Sequence, residues 1–159
     1  MTINIISVGK IKESGLKSLI FEYEKRISKF AKINIVELKD LASENASSEA
    51  DKLIVLEEEG QNILSKILDR DYVIALAIEG NKYSSERFAE LIEKGFVQGG
   101  AKLTFIIGGS LGLSQRVKLR ANSLISFSEM TFPHQLMKVI LLEQTYRAFK
   151  ILNNEPYHK

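Results

Sequence analysis

Three clusters in the last third of this 159-residue chain hold side chains whose types and spacing suit chemistry. The first is Gly108-Gly109-Ser110-Leu111-Gly112, directly after an apolar run. Glycine lets backbone approach a ligand closely and take positive φ. No Gly-Lys-Ser/Thr follows, so the loop is not a P-loop, and the GGxxG spacing is not the dinucleotide fingerprint. It reads either as a ligand loop or as a strand-to-helix turn that needs glycine. The second cluster is Ser126 to Gln135. Ser128 and Thr131 could bond the polar edges of a ligand, and Met130 and Phe132 could sandwich a flat ring. The plainer reading makes Thr131 a helix N-cap within a hydrophobic staple. His134 could be a base, but in a first helical turn it more ordinarily caps or packs. The third cluster is Glu143, Gln144, Tyr146, Arg147 and Lys150, with Pro156-Tyr157-His158-Lys159 at the end. Such tails are usually loose stubs, yet stacking plus positive charge is how proteins hold unpaired bases.

Composition removes several alternatives. The chain has no cysteine, which excludes disulfides, thiolate metal sites and cysteine nucleophiles. No His, Asp or Glu set stands at metal-ligand spacing, so no metal is expected. Met1–Val8 is apolar but short, without a basic leader, and reads as a strand rather than a signal peptide. No apolar run approaches the ~20 residues of a membrane span. A cytoplasmic location is expected. The net charge of +2 is uneven: residues 1–36 carry seven Lys/Arg against three Asp/Glu, residues 37–60 two against eight, and residues 110–159 seven against three. Basic ends could attract a phosphate backbone, or could be solvated helix faces.

Periodicity supplies the elements that must position these clusters. Strands are predicted at Ile3–Val8, Ile33–Leu38, Tyr72–Ile78, Leu103–Ile107 and Leu124–Phe127. Helical spacing joins Leu16, Leu19, Ile20, Tyr23, Ile27 and Phe30. Ser48 and Asp51 cap a second helix with Leu53, Leu56, Ile63, Leu64 and Ile67 inward. Glu79-Gly80-Asn81 turns the chain, and Ser84 or Ser85 caps a helix to about Gln98. Ser114 starts a short helix, and Pro133 opens a last one from about His134 to Asn153. Alternating strands and helices predict an α/β fold, a mostly parallel sheet with helices on both faces, in one domain over 1–159. In such sheets ligands bind beyond the carboxyl ends of strands. The ends of interest are Leu76–Glu79, Ile107–Gly112 and Phe127–Phe132. The last helix begins with Leu136, Met137, Val139, Ile140, Leu141 and Leu142, apolar nearly all round, which asks for burial on every side and makes a partner subunit the natural cover.

Taken together, Val8-Gly9-Lys10, Glu22-Tyr23-x-x-Arg26, Glu59-Gly60, Ile107-Gly108-Gly109-x-x-Gly112, Thr131-x-Pro133-His134, Glu143-Gln144-x-Tyr146-Arg147-Ala148 and the terminal Pro156-Tyr157-His158-Lys159 carry a resemblance over essentially the whole chain. The sequence resembles the bacterial large-subunit pseudouridine N3-methyltransferases, minimal members of the SPOUT class of RNA methyltransferases. Each motif is weak singly, and the set is specific. The resemblance implies a C-terminal trefoil knot, a homodimer, S-adenosyl-L-methionine as cofactor, and a pseudouridine of 23S rRNA on the 70S ribosome as substrate. It implies a cofactor site at Leu76, Gly108, Phe127, Ser128, Glu129, Met130, Thr131 and Phe132.

Methyl transfer from a sulfonium is an in-line displacement, dominated by holding donor and acceptor in near-attack geometry. The acceptor imide nitrogen must also lose a proton. The expected catalytic set is His158 as proton acceptor, Tyr157 as stacking or orienting group and Arg147 as electrostatic support, the tail acting on the partner subunit's pocket. Two readings of other classes stand beside this one: a dimeric RNA- or nucleotide-binding module without catalysis, and an enzyme using a dinucleotide at the Gly108 loop.

Overall fold

Apolar, β-branched runs form the strands. In the computed structural model, which describes residues 1–42 and 46–157, β1 (Thr2–Val8), β2 (Lys32–Leu38), β3 (Tyr72–Lys82), β4 (Lys102–Ile107) and β5 (Ser123–Ser126) make one sheet in the order β2-β1-β4-β3-β5. Every neighbouring pair is parallel. The connections carry α1 (Ser14–Ile27), α2 (Glu49–Leu64), α3 (Ser85–Gln98) and α4 (Gln115–Arg120), and α5 (His134–Leu152) follows β5.

Two-residue alternation sends strand side chains to opposite faces. Ile3, Ile5, Ile74 and Phe105 pack with Ile20, Ile27, Phe88, Ile92, Leu141 and Phe149, so α1, α3 and α5 cover one face. Ile6, Val8, Val73 and Ile106 pack with Ile63, Leu113 and Val117, so α2 and α4 cover the other. This is the predicted architecture, and it explains why the central strands read as unbroken apolar runs. Ser48, Ser84 and Ser114 cap their helices as expected, and Ser48 with Asp51 forms a full capping box.

Two local expectations fail. Glu79-Gly80-Asn81 does not end β3. The strand breaks register there, and Leu76 and Asn81 both pair with Ile125. Gly80 is needed for close approach, since a Cβ on it would lie 2.6 Å from the backbone of Ile125. Leu53 does not face inward: it is 66% exposed, and the buried residues of α2 are Val55, Glu59, Gly60 and Ile63. The stripe i, i+4, i+8 holds a glutamate, which a hydrophobic pattern rejects. The apolar stretch of α5 is covered in part within the chain. Val139, Leu141 and Leu142 are buried, and Leu136 and Ile140 are half-buried.

The start of α5 is fastened by a polar cluster. Lys138 is fully buried, and its Nζ donates to Glu37 Oε1 at 2.6 Å. The same oxygen accepts the Ile11 N–H at 3.2 Å, and Gln135 Oε1 accepts the Lys12 N–H at 2.9 Å. Burial pushes the Glu37 carboxyl up, but the Lys138 hydrogen bond and the Ile11 N–H outweigh it and hold it below its ordinary value of 4.5. A carboxylate with a depressed folded pKa contributes stability above its unfolded pKa and loses it as pH falls through the folded value. Removing one partner of a buried pair leaves an uncompensated charge, which costs about 3–5 kcal/mol, whereas an apolar replacement of the buried member is often neutral. Glu37→Gln is therefore expected to lower stability by about 2–4 kcal/mol at pH 7 and by less at pH 4, with Lys138→Met costing under about 1.5 kcal/mol. Urea denaturation of both variants at the two pH values checks this.

Candidate active site

Parallel strands put their carboxyl ends at one edge, and there a cleft of about 530 Å³ opens. That volume falls within the ~300–1,000 Å³ of small-molecule sites. Its walls are the three predicted strand ends. Leu76, Ala77, Ile78 and Glu79 come from β3, Ile107 to Leu113 from the loop after β4, and Ser126 to Phe132, apart from Glu129, from the loop after β5. His134 and Met137 close it from α5.

The glycines of the loop after β4 meet a packing need. A Cβ on Gly108 would lie 2.5 Å from the Gly112 carbonyl oxygen, and one on Gly109 would lie 2.9 Å from Val8 Cγ1. The Gly112 N–H donates to the Gly109 carbonyl at 3.1 Å, and Gly112 has φ +83°. The turn needs glycine for its own closure and so presents bare backbone to the cleft.

The loop after β5 spends its hydroxyls on itself. Ser126 Oγ donates to the Ser128 carbonyl at 2.9 Å, and Ser128 Oγ accepts the Met130 N–H at 3.0 Å. Thr131 is not a cap: Pro133 holds the N-cap position of α5 without a side-chain bond. Phe127 meets Phe88 edge-on at 5.7 Å, which anchors the loop in the core. Met130 is 69% exposed at the rim. Seven of the eight predicted cofactor residues therefore line the cleft. Glu129 does not; it is exposed and pairs with Lys82. His134 packs against Gly9, where a Cβ would collide with its imidazole.

Sequence reasoning missed two interactions at this cleft. Glu79 and Lys118, both in its lining, form an ion pair, and the Lys118 bond holds the Glu79 carboxyl below its ordinary value. No sequence spacing links them. Behind the glycine loop, Glu59 is 2% exposed, and its Oε1 accepts the Leu41 N–H at 2.9 Å. Its Oε2 has no hydrogen-bond partner within bonding geometry among the described residues and would lie 3.5 Å from a Gly109 Cβ. Burial pushes the Glu59 carboxyl up, partly offset by the Leu41 N–H.

Of the predicted catalytic residues, His158 lies outside the described residues, and the other two meet away from the cleft. Arg147 donates to Glu143 Oε1 at 2.7 Å, and this pairing raises its pKa further. Its guanidinium lies 4.8 Å from the centroid of the Tyr157 ring. The Tyr157 hydroxyl donates to the same Glu143 oxygen at 3.4 Å, and its ring meets Tyr146 edge-on at 4.9 Å. Arg147 stands thirteen residues along α5 from His134, which is about 20 Å of helix.

With this geometry in hand, comparison with known proteins is decisive for family. The sequence model described as "Predicted SPOUT methyltransferase" matches residues 1–158. The chain belongs to the SPOUT methyltransferase family. It is 54% identical over 159 residues, covering all of both chains, to a Streptococcus thermophilus protein named Ribosomal RNA large subunit methyltransferase H. Proteins of the same name from Clostridium perfringens and Streptococcus gordonii are 54% and 52% identical over the same complete span. Among solved structures, a probable methylase family protein from Haemophilus influenzae matches with a TM-score of 0.55 at 12% identity, over 99% of this chain and 70% of that one. That likeness shows the fold alone. Among the described residues of this SPOUT chain, no group of three or more His, Asp or Glu could hold a metal ion, and no helix is long and apolar enough to cross a membrane.

Glu59 gives this site a pH signature. Its folded pKa lies above its unfolded value, so its contribution to stability is complete below about 4.5 and is lost as pH rises through the folded value. Glu59→Gln keeps the acceptor for Leu41 and removes the charge. The variant is expected to show a higher Tm than wild type at pH 8 and a smaller change in Tm between pH 5 and pH 8. Thermal unfolding followed by circular dichroism checks this; a lower Tm at pH 8 counts against it.

Proposed function

We propose that this chain is an S-adenosyl-L-methionine-dependent methyltransferase acting on N3 of a pseudouridine in 23S rRNA, on the assembled 70S ribosome. The observation that carries the reading is the cleft at the strand ends, in a chain whose full-length relatives bear the name of a large-subunit rRNA methyltransferase. The cleft's lining fits the cofactor. Leu76, Phe127 and Phe132 offer apolar surface to a flat base, the backbone of Gly108 is bare, and Ser128 still has a hydroxyl proton to donate after accepting from Met130. These residues would hold the group, together with Met130 and Thr131 at the rim. When bound, it supplies an electrophilic methyl on a sulfonium.

The chain's own residues have positioning to do. Arg147, held by Glu143 and laid over Tyr157, presents a fixed cation that favours an acceptor nitrogen without its proton. Tyr157 offers a ring for stacking the acceptor base. His158, next in sequence, is proposed to take the imide proton. The 20 Å of α5 between this cluster and the cleft favours a homodimer in which the tail of one protomer completes the cleft of its partner. The half-buried Leu136 and Ile140 belong to the proposed dimer contact. The single domain over 1–159, with a C-terminal trefoil knot, is part of the same reading.

Mass spectrometry of rRNA from a strain lacking the gene is expected to show one large-subunit nucleotide short of a methyl group. Titration calorimetry is expected to show binding of S-adenosylmethionine and S-adenosylhomocysteine but not NAD; failure of both methyl-cofactor ligands to bind removes the proposal. Deletion of residues 157–159 is expected to lower methyl transfer at least 100-fold, the loss of a general base or its geometry. A tail-deleted chain mixed with Gly108→Val, each inactive alone, is expected to regain activity. The mixed dimer of a tail acting in trans has one intact site, and that of a tail acting in cis has none.

A further inference from the structure

Beside the Arg147–Tyr157 cluster lies a second cavity, of about 430 Å³, between the end of α1 and the second half of α5. Its floor is aromatic. Tyr146 is wedged against Phe30 at 6.4 Å and Tyr23 at 6.5 Å between centroids. Its rim carries Lys25, Arg26, Lys29 and Lys150. Arg26 bonds Glu22 at 2.8 Å and sits 5.9 Å from the Tyr146 centroid, the same distance as Lys150, which pairs with Glu155. Those two acids account for two of the four cations. Lys25 and Lys29 have no acidic partner among the described residues, so the cavity keeps an excess of two positive charges over an aromatic floor.

We infer that this cavity is a phosphodiester-binding site for the RNA strand next to the target nucleotide, with Lys25 and Lys29 neutralising the phosphate. The inference rests on the methyltransferase reading above. The two basic ends of the sequence, remote in number, converge here because α1 packs on α5. Tyr157 abuts Tyr146 at 4.9 Å, so a strand whose base reaches Tyr157 passes this rim. Neutralising a phosphate releases condensed counterions, which contributes a slope of about −0.7 to −0.9 per phosphate to log K against log salt concentration.

The test is binding of 70S ribosomes by the full-length protein across a salt series. Lys25→Ala with Lys29→Ala is expected to weaken binding about tenfold at low salt and to flatten the slope by about 1. S-adenosylmethionine affinity is expected to stay within twofold of wild type. Lys25→Arg with Lys29→Arg is expected to restore ribosome binding. An unchanged affinity and slope in the alanine variant overturns the inference. So does a fall in the sedimentation coefficient of the free alanine variant with unchanged ribosome binding, which gives the cavity to an acidic segment of a second copy instead. A wild-type protein that binds neither S-adenosylmethionine nor ribosomes defeats the functional reading, and this inference with it.

Discussion

The structure depends on one constraint, the parallel run of all five strands. Parallel pairing forbids tight hairpins and demands a crossover between successive strands. The helices that make the crossovers bury both sheet faces. It also brings every carboxyl end to a single edge. Leu76, Gly108 and Phe127 are separated by 32 and 19 positions, yet they face one cleft because β3, β4 and β5 lie side by side and Leu76 pairs with Ile107 and Ile125 near the carboxyl ends of β4 and β5. No long-range interaction has to be designed to assemble that cleft; strand direction does it.

The helix that walls the cleft needs a separate fastening, since it follows a short strand at the sheet's edge. Lys138 supplies it. A fully buried ammonium is costly unless it is bonded, and the bond to Glu37 ties α5 to β2 and, through the Ile11 N–H, to the turn after β1. The pair is weak evidence for stability in itself. Its geometric consequence is firmer: His134 and Met137, within one turn of Lys138, are held at the cleft.

The strands and the site edge were legible in the sequence because both follow from local patterns. Buried parallel strands must be apolar runs, and topology then names the edge. What was illegible depended on partners remote in sequence. Lys138 reads as an ordinary basic residue until Glu37, 101 residues away, is seen against it. Gly80 reads as a turn until the backbone of Ile125 is seen to need its missing Cβ. The face of α2 was misassigned because its buried stripe passes through Glu59, whose burial depends on the Leu41 N–H. In the candidate site, the lining residues were legible except that Glu129 turns outward to Lys82. The glycines after β4 were ambiguous between ligand and turn, and packing against Gly112 and Val8 gives them a structural need.

The uneven charge of the sequence becomes a spatial statement once folded. Acids of the middle segment have internal duties: Glu37 balances Lys138, Asp51 caps α2, Glu49 pairs with Lys52, and Glu59 holds the Leu41 N–H. The basic ends instead meet each other. Lys25, Arg26 and Lys29 from the first segment and Lys150 from the last surround one tyrosine, and Arg147 lies over the neighbouring one. Like charges gathered without full compensation cost Coulomb energy, about 1 kcal/mol for a pair 4 Å apart in water and more where water is excluded. Folding alone gains nothing from that arrangement at Lys25 and Lys29. An anionic strand would repay it, and it would do so at the far end of the same helix whose first turn walls the cleft. On the proposed function, one rigid element sets the Arg147–Tyr157 cluster apart from the cleft by a fixed length, and a second copy of the chain, rather than a flexible loop, would join them.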